Sequence, residues 1–175
     1  VNLPQEGFDH PLGESTGAAV IFGATGGVME AALRTAVETL TGEELKDLEF
    51  KEVRGIKGIK EATYPVAGMD VKVAVASGLG NAREVLEKVK SGEAEYHFIE
   101  IMACPGGCVG GGGQPIHDGE ELAFDRGCNL YHLDDEAQIR FSHENEDVLA
   151  MYEEYFEKPM SHKAHMLLHT EHVRA

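Results

Sequence analysis

The chain has 175 residues, a length that allows one well-buried core. Hydrophobic residues make up 42% of it and charged residues 26%, a composition that excludes intrinsic disorder and predicts a globular fold. Fifteen Lys and Arg stand against 31 Asp and Glu, and the net charge of −16 would repel nucleic-acid phosphates and anionic lipids.

Neither a membrane span nor a secretion signal is predicted. No stretch approaches the ~20 continuous apolar residues that cross a bilayer, and the start has no basic region followed by an apolar run. Three cysteines, two of them four apart in a glycine-rich loop, argue against a secreted disulfide framework and favour metal ligation or a reactive thiol. We therefore expect a cytoplasmic protein with no nucleic-acid or membrane partner.

The first half of the chain predicts strands and helices separated by glycines. After an extended connection over residues 1–15, a short apolar run predicts a strand, and a glycine loop at 23–27 leads into a helix with apolar residues at helical spacing. Short β-branched and apolar runs then predict three more strands. The strands are predicted at 18–22, 48–53, 59–66 and 69–76, and the helix at 28–40.

The second half predicts a further helix over residues 81–90 and a buried strand over 96–101 that runs into the cysteine loop. The sequence beyond residue 119 is predicted to be mostly helical. Strands interleaved with helices indicate an α/β fold with a mixed β-sheet flanked by helices, in which ligands gather beyond the carboxyl ends of strands. Both glycine loops are predicted to follow strands.

The most specific segment is EIMACPGGCVGGGGQP, residues 100–115, which has two cysteines and six glycines in sixteen residues. Thiolates are soft ligands suited to iron-sulfur clusters and to zinc. Glycines let the backbone approach a bulky cluster and direct N–H groups toward it. A flexible turn with two incidental thiols is the simpler alternative.

This segment resembles the last cysteine motif of iron-only (FeFe) hydrogenases, in which both cysteines bind the active-site cluster. STGAAVIFGATGGVMEAALRTA resembles the glycine loop and helix beside that cluster, and SHENEDVLAMYEEYFEKPMSHKAHMLLHTEH resembles the C-terminal tail of the family. The resemblance implies that residues 1–140 are the C-terminal lobe of the hydrogenase catalytic domain. Residues 141–175 would be a helical tail resembling the small subunit.

The resemblance also implies roles for individual residues. Cys104 would ligate a 4Fe-4S cubane, and Cys108 would bridge that cubane to a di-iron unit, the two together forming the H-cluster. Cys108 would thereby be the catalytic ligand. Met102 would pack near the di-iron unit, while Phe22 and the backbone at Gly23 would line its pocket; for Phe22 and Met102, ordinary core packing is the alternative.

Two earlier motifs of the family, which supply the remaining cluster cysteines, are missing from this chain. The implied function is therefore part of an oxidoreductase that reversibly oxidises dihydrogen, inactive as this chain alone. Its implied partners are the N-terminal part of the catalytic domain and an electron carrier such as ferredoxin or NAD(P)H-linked subunits. The alternatives are a cluster-binding or sensory relative without turnover and a nucleotide-binding α/β module.

Three weaker features have simpler interpretations. The glycine loop at 23–27 could cradle a phosphate at a helix N-terminus, although it fits neither the dinucleotide fingerprint nor a P-loop. Cys128 is interpreted as a buried structural thiol. His162, His165, His169 and His172 share one helical face without a metal site being expected there.

Overall fold

A computed structural model describes residues 4–7, 9, 11–43 and 50–170. Within these ranges the chain forms three strands and six α-helices with several short turns of helix. The strands are β1 (Ile59–Val66), β2 (Met69–Ser77) and β3 (Phe98–Met102). The α-helices are α1 (Gly17–Val20), α2 (Gly27–Thr41), α3 (Leu79–Ser91), α4 (Ala123–Glu136), α5 (Glu146–Met151) and α6 (His162–Leu168). Single 3-10 turns lie at Ile21–Gly23, Lys51–Val53, Cys108–Gly110 and Ser142–Glu144, and a π-helical turn at Tyr152–Phe156.

The chain divides into two compact units. One comprises residues 16–142 and the other joins residues 1–15 to 143–175. The division into family segments at residue 140 remains a prediction. Across the described residues, no helix is both long and apolar enough to cross a bilayer.

The sheet of the 16–142 unit is mixed, as predicted. Its order is β1-β2-β3, with β1 antiparallel and β3 parallel to the central strand β2. Because the side chains of a strand alternate between the two faces of a sheet, Val73 and Val75 pack with residues of α2, whereas Ala74 and Ala76 pack with residues of α3. The second half of the central strand, from Val73 to Ser77, is thus buried on both faces, and the predicted α/β fold is confirmed.

Two predicted strands are wrong. Residues 18–22 form α1 and the following 3-10 turn, because the Thr16 side chain accepts a hydrogen bond from the N–H of Ala19 at 3.1 Å and starts a helix. A run of only five apolar residues has no periodicity that separates strand from helix. Of the strand predicted at 48–53, residues 48 and 49 lie outside the described residues, and Lys51–Val53 is a 3-10 turn.

The other predicted elements are confirmed within a few residues. The helices at 28–40 and 81–90 and the strands at 59–66, 69–76 and 96–101 appear as α2, α3, β1, β2 and β3. Beyond residue 119 the described chain is mostly helical. The glycine loop at 23–27 follows a helical turn rather than a strand, so only the cysteine loop follows a strand.

The unit that joins residues 1–15 to 143–175 is organised by two helix caps. Asn145 accepts a hydrogen bond from the N–H of Val148 at 3.0 Å at the start of α5, and its amide donates to the carbonyl of Glu14. Ser161 caps α6 by accepting from the N–H of Ala164. The imidazole of His165 on α6 stacks on that of His169, while His172 lies outside the described residues.

A buried ionic network ties α2 to α4. The guanidinium of Arg34 donates to both carboxylate oxygens of Asp134 at 2.9 and 2.7 Å and to Glu30 at 2.6 Å, and all three side chains are fully buried. Arg140 also donates to Asp134, at 2.6 Å, and Arg54 to Glu30. Removing one member would leave an uncompensated charge in the interior.

We expect Asp134→Ala to lower the free energy of unfolding by ~3–5 kcal/mol, because Arg34 would then be buried with one of its two carboxylate partners missing. Urea denaturation followed by circular dichroism measures this loss. The exposed Asp118→Ala is the matched control and should change stability by less than ~0.5 kcal/mol. Equal losses in the two variants would contradict the network's importance.

The same network predicts a pH dependence. Burial by itself would raise the pKa of Asp134, but the hydrogen bonds and charges of Arg34 and Arg140 outweigh it and hold this pKa below the ordinary 3.8. The carboxylate therefore stabilises the fold above that value, and this contribution is lost as the pH falls through the lower folded-state pKa. The stability difference between wild type and Asp134→Ala should be constant above about pH 5 and shrink in stronger acid. A difference independent of pH would contradict this assignment.

Candidate functional site

The cysteine loop begins where β3 ends. Cys104 follows β3 after one residue, and Cys108 begins a 3-10 turn four residues later. Both thiols are free; Cys104 is half-buried and Cys108 is exposed. Since β2 and β3 are parallel and adjacent, the end of β2 lies beside the start of this loop.

Ser77, the last residue of β2, fastens the loop to the sheet. Its hydroxyl donates to the carbonyl of Cys104 at 3.2 Å and accepts from the N–H of Gly106 at 2.7 Å. Within the loop, the N–H of Gly107 donates to the carbonyl of Cys104, and that of Gly111 to the carbonyl of Cys108, both at 3.0 Å. The backbone carrying both thiols is therefore fixed by hydrogen bonds.

Glycine is required in this loop for close approach. A Cβ on Gly107, whose φ is +94°, would lie 2.7 Å from the backbone nitrogen of Thr25 and 2.8 Å from the carbonyl oxygen of Gly23. A Cβ on Gly111 would lie 3.5 Å from the sulfur of Cys104. The loop can thus pack tightly on one side while leaving bare backbone next to a thiol.

The glycine loop at 23–27 lies directly against the cysteine loop. The N–H of Thr25 donates to the carbonyl of Gly106 at 3.0 Å. The predicted site residue Gly23 is therefore brought to the two cysteines. Phe22 precedes it and is 44% exposed as a residue, and Met102 is half-buried at the end of β3. The roles of these residues toward a cofactor remain predictions.

Glu100 of β3 binds the backbone at the start of α2, next to the glycine loop, and lies on the strand that leads into the cysteine loop. Its carboxylate, buried in the sheet face, accepts from the N–H of Gly26 at 2.6 Å and from the N–H of Met29 at 2.7 Å. These are free amides at the start of α2, which has no side-chain cap of its own. Because the carboxylate takes these amides, the phosphate-cradle interpretation of the glycine loop is wrong.

Lys60 of β1 holds the same region from the other edge of the sheet. Its buried ammonium donates to the carbonyl of Thr25 at 2.8 Å and to the carbonyl of Gly55 at 2.7 Å. Burial lowers the pKa of Lys60 to about 8, although the charge of Glu100 acts to raise it. The ammonium form therefore predominates at neutral pH.

Three residues that support the site, Ser77, Lys60 and Glu100, are not among those predicted from the sequence. A usable signal was present for two of them, since a charged residue within an apolar strand is buried only when it is paired. Ser77 carries no such signal. Its role depends on the pairing of β2 with β3.

Cys128 is exposed on α4, so its interpretation as a buried thiol is wrong. It lines a pocket of about 310 Å³ together with Thr25 and Gly106. The pocket also contains Tyr131, whose buried hydroxyl has no hydrogen-bond partner among the residues that the structure describes. No pattern in the sequence predicts this cavity.

The donors of the cysteine loop fit an iron-sulfur cofactor. Cys104 and Cys108 offer two soft thiol ligands on one short loop. The bare backbone of Gly111 beside the sulfur of Cys104 leaves room that a side chain would fill. Cys108 is an exposed residue, and Cys104 is half-buried.

Comparison with known proteins gives matches along nearly the whole sequence. Residues 1–112 match the family described as iron only hydrogenase large subunit, C-terminal domain, and residues 120–174 the family described as iron hydrogenase small subunit. The chain is 53% identical to the NADP-reducing hydrogenase subunit HndD of Solidesulfovibrio fructosivorans, over 98% of this chain and 29% of that protein. It is 58% identical to the periplasmic Fe hydrogenase large subunit of Nitratidesulfovibrio vulgaris, over 71% of this chain and 30% of that protein.

A more distant curated relative and a solved structure also match most of this chain. The cytosolic Fe-S cluster assembly factor narfl of Xenopus tropicalis is 33% identical over 86% of this chain and 31% of that protein. The solved FeFe-hydrogenase HydA1 of Chlamydomonas reinhardtii, variant E144A, matches with a TM-score of 0.74 and 41% identity, over 98% of this chain and 50% of that chain. The chain thus spans about a third of these curated relatives and half of the solved enzyme. The match of residues 1–112 shows that it belongs to the iron-only hydrogenase large-subunit family.

Proposed function

We propose that this chain is the part of an iron-only hydrogenase catalytic domain that supplies Cys104 and Cys108 to the H-cluster. The observation that carries the proposal is a pair of free thiols on one glycine-rich loop. The loop follows β3, and Ser77 at the end of the neighbouring parallel strand β2 binds it by a hydrogen bond. The complete enzyme would catalyse the reversible oxidation of dihydrogen to two protons and two electrons. Family membership supports this reaction class.

Different residues of the chain would ligate the cofactor and cover it. Cys104 would ligate the 4Fe-4S cubane, and Cys108, the more exposed thiol, would link it to the di-iron unit. Phe22 and Met102 would cover that unit with apolar surface and limit access of water. When bound, the cluster supplies the redox chemistry, while the protein positions it and tunes its surroundings.

Two thiols are half of the protein ligands that this cluster needs, so the rest would come from the N-terminal part of the catalytic domain. Electrons would pass to a carrier such as ferredoxin or to NAD(P)H-linked subunits. A cytoplasmic location remains our prediction; one hydrogenase relative is named as periplasmic.

The competing proposal, a cluster-binding relative without turnover, is favoured by the identity to an Fe-S cluster assembly factor. The much higher identity to hydrogenase subunits favours the enzyme.

In the complete enzyme, we expect Cys108→Ser to abolish hydrogen evolution, whereas Cys104→Ser leaves a residual cluster. A thiolate that bridges two iron units has no neighbouring substitute, and the harder serine oxygen is poorly matched to iron-sulfur edges. Gas chromatography and electron paramagnetic resonance on identically matured proteins measure both effects.

The matched control for these variants is Cys128→Ser, which removes an exposed thiol outside the cysteine loop. It should keep the activity and the spectrum of the wild type. Wild-type activity and spectra in Cys108→Ser would overturn the assignment of Cys108. Activity absent from a wild-type enzyme that holds its cluster would favour the relative without turnover.

The isolated chain should evolve no hydrogen from reduced viologen. Two thiolates cannot hold a cluster that needs four protein ligands, so the organometallic centre cannot assemble on this chain. The control is the same chain co-expressed with the N-terminal part of the catalytic domain and matured in the same way. Turnover by the pure chain would contradict the proposed sharing of ligands.

A further inference from the structure

Two oppositely charged side chains are buried in one row across the sheet. Lys60 of β1 pairs in register with Val75 of β2, and Val75 pairs in register with Glu100 of β3. Directly paired residues place their side chains on the same face of a sheet. Val75 packs in the core cluster that contains Met29 and Leu33, so the row faces α2. Lys60 is 4% exposed and Glu100 is 6% exposed.

Each charge of this row binds backbone rather than a matching side chain. Both oxygens of Glu100 accept N–H groups at the start of α2, from Gly26 and Met29. The ammonium of Lys60 donates to the carbonyl of Thr25, the residue before Gly26. The peptide group between Thr25 and Gly26 and the N–H of Met29 are thereby fixed to the two outer strands of the sheet.

This attachment continues into the cysteine loop through Thr25. While its carbonyl accepts from Lys60, its N–H donates to the carbonyl of Gly106, midway between the two cysteines. Glu100 lies on the strand that enters the same loop, four residues before Cys104. The glycine loop and the cysteine loop are therefore held together from both sides of Val75.

Packing of the core alone does not explain why charged residues occupy these two positions. Burying an ammonium and a carboxylate costs free energy, and well-packed apolar residues at such positions are often as stable or more so. What apolar side chains cannot do is bind the N–H groups of Gly26 and Met29 and the carbonyl of Thr25. The charges thus fix the backbone at a cost in desolvation.

We propose that Lys60 and Glu100 are positioning residues that fix the glycine loop against the cysteine loop and so hold Cys104 in its iron-binding geometry. The inference rests on the proposed function only in that the loop is taken to bind iron. The geometric part of the inference concerns the protein without iron and can be tested there.

The test uses the complete hydrogenase subunit with Lys60→Met, Glu100→Gln and the double variant that combines them. In the iron-free protein, alkylation by iodoacetamide at each cysteine is followed by peptide mass spectrometry. We expect alkylation of the half-buried Cys104 to become about tenfold faster in each variant, because charge-assisted hydrogen bonds that restrain the loop are lost. Alkylation in denaturant, where no loop is restrained, serves as the control, and the rate at each cysteine should then be equal in the wild type and the variants.

The double variant separates positioning from simple charge pairing. It leaves neither charge alone in the interior, so its melting temperature should exceed that of the less stable single variant. It also lacks the Lys60 donor and one of the two acceptor oxygens of Glu100, so alkylation of Cys104 should stay fast. After reconstitution, electron paramagnetic resonance of the reduced 4Fe-4S cluster should show lower occupancy and an altered line shape. Lys57→Met and Glu87→Gln, at exposed positions, should match the wild type throughout.

Protection of Cys104 and a cluster spectrum equal to those of the wild type, in a folded double variant, would overturn the inference and leave the proposed function intact. Failure of the reconstituted wild-type subunit to hold any cluster would instead overturn the proposed function. The alkylation rates would remain interpretable in that case, because they are measured without iron. If either single variant fails to fold, the double variant decides the outcome.

Discussion

The hydrogen bonds from Gly26 and Met29 to the Glu100 carboxylate are the constraint on which the rest of the site depends. They join the start of a 15-residue helix to the strand that delivers the cysteines. A negative charge at a helix N-terminus is favourable because it meets unsatisfied N–H groups and the positive end of the helix dipole. The N-terminus of α2 has no side-chain cap of its own. The position of this helix therefore depends on the same strand that leads into the cysteine loop.

Local chemistry explains which parts of the fold could be predicted. β1 and β2 are separated by two residues with positive φ, Ala67 and Gly68, and their apolar pattern on either side of this turn is clear from the sequence. The cysteine motif was recognisable because its residue types are rare in combination. The strand predicted at 18–22 was wrong because a run of five apolar residues has no preferred period, and the side chain of Thr16 caps a helix there.

The supports of the site depend on strand register, which a single sequence does not specify. Lys60 and Glu100 are 40 residues apart in the chain, yet strand pairing places both of them next to Val75. Ser77 reaches the cysteine loop only because β2 and β3 are parallel and end together. The thiols could therefore be predicted from a local pattern, whereas the groups that hold them could not.

This difference follows from the physical properties of the loop itself. Glycine allows the backbone to approach another loop closely, but each glycine also loses more conformational entropy on ordering than other residues, roughly 0.5–1 kcal/mol relative to Ala. Six glycines among the sixteen residues of 100–115 cannot hold two thiols in place by local preference. The restraint has to come from outside the segment, and the structure supplies it through Ser77, through Thr25 and through Arg126 of α4, which donates to the carbonyl of Val109 at 3.1 Å. The backbone that carries the two thiols is therefore restrained only within the folded unit of residues 16–142, where buried charges on two strands fix what the glycines leave free.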